Sequence, residues 1–155
     1  MRKIMIVDDN YLSAEGIEKN IDWEVLNAEI VHICYNGTSA IDAMKKEPVD
    51  LIISDIEMPD LDGISMSRQA LDINPMVKII LISAYDKFEY ARRALLLGAL
   101  DYIEKPLDYA YLIQKVKNAF ALMEKEQKNL QLLKQSRPLL TEKFFREITH
   151  LPSSE

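Results

Sequence analysis

Five short apolar runs alternate with segments of helical spacing along this chain, and this alternation constrains the fold more than any other feature. The runs are rich in Ile, Val and Leu and cover residues 4–7, 30–34, 51–53, 77–82 and 100–103. Runs of this length are typical of strands that are buried on both faces, as parallel strands are. The alternation therefore predicts an α/β fold with a doubly wound, five-stranded parallel sheet, right-handed crossovers and helices on both faces.

A long helix is predicted after the last apolar run. Asp108 is a candidate N-cap, and the residues that follow form a seam with alternating steps of three and four. The seam, in which one position is polar, consists of Tyr109, Leu112, Val116, Ala119, Met123, Glu126, Leu130 and Leu133. Because it continues past Phe120, beyond the reach of a sheet, we expect the helix to run to near Gln135, before Pro138, and to pair with a second copy.

The length of 155 residues allows one ordinary domain and an appendage. We expect the domain to occupy residues 1–120 and a helical linker to occupy 121–155. Within this linker, Thr141 is a candidate cap for a short amphipathic helix that contains Phe144 and Ile148.

Composition and charge exclude several classes of protein. The net charge of −6 argues against a nucleic-acid-binding surface on this segment. The single cysteine, Cys34, cannot form an intrachain disulfide and is typical of a reducing compartment. No signal peptide is recognisable, and no apolar run approaches the roughly 18 residues that a membrane span needs. We therefore expect a cytoplasmic protein without membrane contact.

Polar side chains follow four of the five apolar runs, at the point where each predicted strand ends. They are Asp8, Asp9, Asp55, Ser83 and Lys105. Each alone has an ordinary interpretation, since an Asp after a strand often caps a helix and an exposed Lys is usually solvated. The carboxyl ends of parallel strands meet at one edge of a sheet, however, where ligands bind in such folds. Their joint occurrence therefore favours a functional site.

This set of residue types is suited to phosphoryl transfer. Three converging carboxylates repel one another unless a cation is present, and all-oxygen sites select hard divalent ions such as Mg²⁺. Lys105 supplies a compact positive charge for a phosphoryl group, and the Ser83 hydroxyl can donate to a phosphoryl oxygen. The residues thus predict a Mg²⁺-assisted site with a carboxylate nucleophile.

The motifs around these residues resemble the receiver domain of bacterial two-component response regulators over about residues 2–120. They read K-I-M-I-V-D-D (3–9), L-I-I-S-D-I-E-M-P-D-L-D-G (51–63), I-I-L-I-S-A-Y (79–85) and D-Y-I-E-K-P-L (101–107). The resemblance implies a flavodoxin-like sheet with strand order 2-1-3-4-5, here with an extended C-terminal helix. It also implies a signalling switch, not an enzyme, that assists its own phosphorylation and dephosphorylation.

The resemblance assigns roles in the phosphorylation site. Asp55 would accept the phosphoryl group from a sensor histidine kinase and contribute to the Mg²⁺ site. Asp9 would bind Mg²⁺ directly, Asp8 mainly through water, and the backbone carbonyl of Glu57 would complete the protein ligands. Lys105 would contact the phosphoryl oxygens.

Further residues would belong to the switch. Ser83 would be the switch hydroxyl, and Tyr102 the aromatic residue that turns inward when Ser83 engages the phosphate. The resemblance also implies a cis Lys105–Pro106 peptide bond. We expect Gly63 to supply a backbone conformation that few other residues adopt.

A second, narrower resemblance concerns the output domain that such regulators carry. Residues 85–91 and 98–102, together with the tail at 134–145, resemble regulators that carry an AraC-type helix-turn-helix domain. The segment 121–155 would then lead to a DNA-binding domain outside this sequence, and DNA would be contacted only through that domain. The implied partners are the histidine kinase and a second subunit.

Two other functions remain open at this point. A stand-alone receiver would regulate a protein partner without DNA. A phosphohydrolase of the haloacid-dehalogenase kind also uses a strand-end Asp, Mg²⁺ and a Lys, but that family places a second Asp two residues after the nucleophile. This chain has Glu57 there.

Overall fold

The computed structural model describes residues 1–84, 88–99 and 101–136, within which five strands alternate with five helices. The strands are β1 (Arg2–Val7), β2 (Ala28–Cys34), β3 (Leu51–Asp55), β4 (Lys78–Ser83) and β5 (Asp101–Glu104). The helices are α1 (Tyr11–Asn20), α2 (Gly37–Lys46), α3 (Gly63–Ile73), α4 (Phe88–Leu97) and α5 (Tyr109–Ser136). The strands pair in parallel in the order β2-β1-β3-β4-β5. The predicted sheet and its strand order are confirmed.

The central strands are buried on both faces, as their unbroken apolar sequences predict. All five residues of β3 are buried, whereas β2 at the sheet edge is mostly half-buried. Met5, Ile52 and Leu81 pack in one core cluster with residues of α2, α3 and α4, such as Met44 and Ile64. Successive strand residues point to opposite faces. Their equally buried neighbours therefore face the other side of the sheet.

Polar caps start helices that follow the strands. The Asn10 side chain accepts from the backbone N–H groups of Leu12 and Ser13, at 2.9 and 3.2 Å, and so caps α1. Asp62 caps α3 in the same way. At the other end of a helix, Gly98 follows α4 with a φ of 95°, the left-handed conformation in which a glycine commonly ends a helix.

The fifth helix, with 28 residues, is the longest helix of the described ranges. The chain divides into two compact units, Met1–Ala119 and Phe120–Glu155. α5 runs without interruption to Ser136, which confirms the predicted extension past Phe120. The predicted helix end at Pro138 and the short helix after Thr141 lie outside the described residues. Among the helices of the described ranges, none combines the length and apolarity needed to cross a membrane.

Candidate functional site

The carboxyl edge of the sheet brings the five predicted polar residues into one region. Asp8 and Asp9 follow β1, Asp55 ends β3, Ser83 ends β4 and Lys105 follows β5. Because β3 lies between β1 and β4, the aspartates and the serine occupy neighbouring strand ends. The residues are far apart in sequence, and the parallel topology alone places them together.

Three carboxylates and one ammonium group form the centre of the site. One carboxylate oxygen from each of Asp8, Asp9 and Asp55 lies within 4.8 Å of the others. Lys105 Nζ lies 3.3 Å from Asp8 Oδ2 and 3.6 Å from Asp55 Oδ2. Asp8 and Asp55 are buried, at 2% and 8% exposure, whereas Asp9 is open to solvent. One lysine therefore faces an excess of negative charge that is accessible from the side of Asp9.

The pKa of Asp55 is raised to about 6. Burial is the largest cause, and the negative charge of Asp8, and to a smaller degree Asp9, adds to it. The ammonium of Lys105 and the backbone N–H of Ile56 act in the opposite direction without cancelling the shift. At neutral pH the carboxylate is still mostly ionised, so it is available as a nucleophile.

This raised pKa predicts a pH-dependent effect of Asp55→Asn on stability in metal-free buffer. A carboxyl whose folded pKa lies above its unfolded value stabilises the protein below about pH 4 and loses that contribution as the pH rises through about 6. Asp55→Asn should therefore be more stable than wild type by roughly 1–2 kcal/mol above pH 7, given about 1.4 kcal/mol per pKa unit and some solvent screening. Urea unfolding between pH 4 and 8 measures the difference.

Asp60 provides the control for this experiment because its pKa is shifted the other way. The Thr38 side chain donates a hydrogen bond to this exposed carboxylate and lowers its pKa. Asp60→Asn should lose stability relative to wild type at neutral pH, and the difference should shrink as the pH falls. A pH-independent difference for Asp55→Asn would contradict the assignment of the shift to Asp55.

The donor set of the site fits a hard divalent cation. Its ligand atoms are carboxylate oxygens, and Mg²⁺ is typically held by one or two carboxylates together with water and phosphate oxygens. Asp8 already has two partners, since Oδ1 accepts the N–H of Asn10 at 2.9 Å and Oδ2 faces Lys105. Asp9 and Asp55 are therefore the residues with carboxylate oxygens best placed for direct contact with a metal ion.

The loop between β3 and α3 is held against the end of β3 by Gly63. Its N–H donates to the Ile56 carbonyl at 2.7 Å, and a Cβ at this position would lie 2.1 Å from the Asp55 carbonyl oxygen. The expectation that Gly63 has an unusual backbone conformation is wrong. All glycines of the chain lie in the described ranges, and Gly98 alone among them has a positive φ. Glycine is required at position 63 by close approach and not by its dihedral angles.

The same loop is attached to the N-terminus of α2 by residues that the sequence analysis did not single out. A Cβ at Gly37 would lie 2.3 Å from the carbonyl oxygen of Leu61, so only glycine lets the loop approach. The carboxylate of Asp60 accepts hydrogen bonds from the hydroxyl and the N–H of Thr38. This contact places an anion at a helix N-terminus, where it is favoured. The wall of the site is thus fixed from α2.

The two predicted switch residues lie on β4 and β5. Ser83 is fully buried, and its carbonyl accepts the N–H of Lys105 at 2.8 Å, which ties the end of β4 to the loop that follows β5. Tyr102 is half-buried, packs against the main core cluster and pairs in register with Leu81. The peptide bond between Lys105 and Pro106 is cis, as the resemblance implies.

A cavity of about 450 Å³ adjoins the carboxylate cluster. Its lining consists of Asp9, Ile56, Glu57, Met58, Pro59, Asp62 and Arg93. The sequence analysis did not identify Arg93, because it lies in α4 without any motif around it. The structure brings this basic residue to the same cavity as Glu57, two residues after Asp55 in sequence.

The family model that matches this chain is the response regulator receiver domain, over residues 4–117. The REC domain of AraT, a response regulator from Geobacillus stearothermophilus, is 34% identical with a TM-score of 0.77, and the match covers 81% of this chain and 98% of that one. The two-component transcriptional regulator AraC from Clostridium phytofermentans is 29% identical with a TM-score of 0.73, covering 83% and 99%.

Curated relatives include transcriptional regulators that are considerably longer. The transcriptional regulatory protein YesN of Bacillus subtilis is 28% identical over 126 residues, which are 81% of this chain and 34% of that protein. HptR of Staphylococcus aureus is 32% identical over 114 residues, 72% of this chain and 44% of that protein. The chain therefore spans less than half the length of these relatives. By its family match, its fold and its motifs, the chain belongs to the response regulator receiver domain family.

Proposed function

We propose that Asp55 is the phosphoacceptor of this receiver and takes a phosphoryl group from a sensor histidine kinase in a Mg²⁺-dependent reaction. The observation that supports this proposal most directly is the position of the Asp55 carboxylate. One of its oxygens lies within 4.8 Å of an oxygen of each of the other two aspartates, and Oδ2 lies 3.6 Å from the ammonium of Lys105. As a receiver domain the chain is a signalling switch and not a classical enzyme.

The transfer follows from the charges around Asp55. One carboxylate oxygen attacks the phosphorus in line, the bond between phosphorus and the histidine nitrogen breaks, and the imidazole leaves with the electron pair. Lys105 neutralises negative charge that develops on the phosphoryl oxygens. The metal site would consist of Asp9, Asp55 and the Glu57 carbonyl, with Asp8 acting through water. A bound Mg²⁺ would supply charge neutralisation and orientation at the phosphoryl oxygens.

The signal would then pass to the face formed by α4, β5 and α5. Phosphorylation adds about −1.5 to −2 charges, by analogy with hydroxyl-linked phosphates. Ser83 would donate to a phosphoryl oxygen, and Tyr102 would move further into the core, so that two arrangements of this face exchange populations. Tyr102 is half-buried and already contacts the core cluster, which is a suitable starting position for this movement.

The output is proposed to be transcriptional. Two of the curated relatives, YesN and HptR, are transcriptional regulatory proteins of more than twice the matched length. Residues 121–155 would then be a helical linker to an AraC-type DNA-binding domain, and the active species a homodimer. A stand-alone receiver is the alternative. The phosphohydrolase alternative has no support from the family match.

Incubation of the purified chain with a small acyl phosphate and Mg²⁺ tests the proposed reaction. Intact-mass analysis should show the addition of one phosphoryl group, because Asp8 is engaged by the Asn10 N–H and by Lys105, and Asp55 is the one proposed acceptor. Chelation with EDTA should abolish the addition, since the carboxylate cluster then lacks its neutralising cation. Undiminished phosphorylation in EDTA would contradict the proposed metal dependence.

A further inference from the structure

Arg93 is a basic residue of the cavity beside the phosphoacceptor. It lies on α4, is half-buried and lines the cavity together with residues of the β3–α3 loop, among them Glu57. Its neighbour Arg92 is exposed and forms an ion pair with Glu89 at 3.3 Å. Within the described part of the chain, the Arg93 guanidinium takes part in no such ion pair.

The cavity that Arg93 lines is next to the place where a phosphoryl donor would bind. Asp9 and the residues that directly follow Asp55 form part of the cavity wall, so the space adjoins the site of transfer. A donor whose phosphorus faces the Asp55 carboxylate has its leaving group on the far side of the phosphorus, towards open space. Guanidinium groups bind carboxylates through two parallel hydrogen bonds, which an ammonium cannot form.

We propose that Arg93 is a specificity-determining residue that favours small acyl phosphates as donors by binding their carboxylate leaving group. The proposal rests on the proposed function of Asp55. In this reaction an Asp55 oxygen bonds to phosphorus and the bond between phosphorus and the acyl oxygen breaks. The electron pair departs on that oxygen, and a free carboxylate forms without any proton transfer.

Donors with a phosphorus–nitrogen bond release an uncharged leaving group. When this bond breaks, the nitrogen takes a proton from solvent and leaves as a neutral amine, and a phosphohistidine likewise leaves a neutral imidazole. Arg93 has no charge to stabilise on such leaving groups. It therefore increases phosphorylation by acyl phosphates without a matching increase for the kinase-type donor.

The competing interpretation is that Arg93 only offsets the charge of the carboxylates that share its cavity. In that case its removal changes the field around Asp55 and affects every donor to the same degree. A comparison of two donors distinguishes the interpretations, because a general change in the field cancels in the ratio of the two rates. Long-range attraction of anions also depends on salt, whereas a direct contact depends on it much less.

The test measures phosphorylation of the full chain by acetyl phosphate and by phosphoramidate, at saturating Mg²⁺ and two ionic strengths. Arg93→Ala should reduce the phosphorylation rate with acetyl phosphate by roughly tenfold, and the rate with phosphoramidate by less than about twofold. The loss with acetyl phosphate is smaller than the roughly 10²–10³-fold loss on removing a fully enclosed oxyanion donor, because this cavity is open to solvent. Arg93→Lys should be intermediate, because it keeps the charge and loses the paired donors. Arg92→Ala is the matched control and should leave both rates unchanged.

Equal losses with both donors would overturn the proposal, and so would a selective loss that disappears at high salt. Failure of the wild-type chain to react with either donor is a separate result. It would contradict the assignment of Asp55 as phosphoacceptor, and the role of Arg93 would fail with it.

Discussion

Asp55→Asn should abolish Mg²⁺-dependent phosphorylation of this receiver, with a loss of at least about 10³-fold in rate. The amide is nearly the same size as the carboxylate, so the fold should be retained, but its oxygen is a poor nucleophile and carries no charge. The neighbouring aspartates are less suitable replacements. Asp8 is engaged by Lys105 and the Asn10 N–H, and Asp9 is the exposed residue of the cluster. Intact-mass analysis over time measures the rate.

Asp60→Asn is the matched control for this experiment. It removes one carboxylate from the same loop and leaves the cluster of Asp8, Asp9 and Asp55 intact. Its phosphorylation rate should fall far less than that of Asp55→Asn, because the amide oxygen can still accept the hydrogen bond from Thr38. Phosphorylation of the Asp55 variant at the wild-type rate would show that another side chain is the acceptor.

The sequence predicts the sheet well because its central strands are buried on both faces. Every residue of β3 is buried, so an unbroken apolar run marks its position without ambiguity. Strand ends are predicted less well, since Arg2 and Lys3 belong to β1 although their side chains are charged. Backbone pairing with β2 includes them, and an apolar pattern does not record backbone pairing.

The convergence of the site residues is predictable for a related reason. A parallel sheet places all strand carboxyl ends at one edge, so Asp55 and Lys105 meet although 50 positions separate them in the sequence. Residue types alone then indicate the chemistry, because carboxylates with a lysine suit a metal ion and a phosphoryl group.

Contacts between loops and helices cannot be predicted in this way. Thr38 and Asp60 are 22 residues apart and belong to no common motif, yet their hydrogen bond attaches the β3–α3 loop to α2. Gly37 has the sequence appearance of an ordinary helix start, and only the approach of Leu61 explains it. Arg93 is a further example, since its relation to the site depends on how α4 lies against the β3–α3 loop.

The extended part of α5 should mediate dimerisation, and Leu130→Glu should weaken the dimer by at least about 100-fold. The buried part of the seam includes Leu112, Val116 and Met123, all at most 7% exposed, whereas Leu130 is 52% exposed. Pairing with the same helix of a second subunit would bury a leucine from each chain, at about 1.5–3 kcal/mol per side chain. In the variant dimer, two introduced glutamates would also face each other across the helix pair. The two Glu126 side chains would face each other in the same way at their own position in the seam.

Leu132→Glu is the matched control for this prediction, because it adds the same charge to the helix outside the seam. Leu132 is 62% exposed, even more than Leu130, so both substitutions exchange an exposed leucine for the same charge. Each residue turns an α-helix by about 100°, and Leu132 therefore lies about 200° from Leu130, away from the seam. Sedimentation velocity of the full chain, with and without phosphorylation, should show a dimer for wild type and Leu132→Glu and a monomer for Leu130→Glu. A wild-type monomer at high micromolar concentration in both states, or equal dissociation by the two variants, would mean that this seam does not pair.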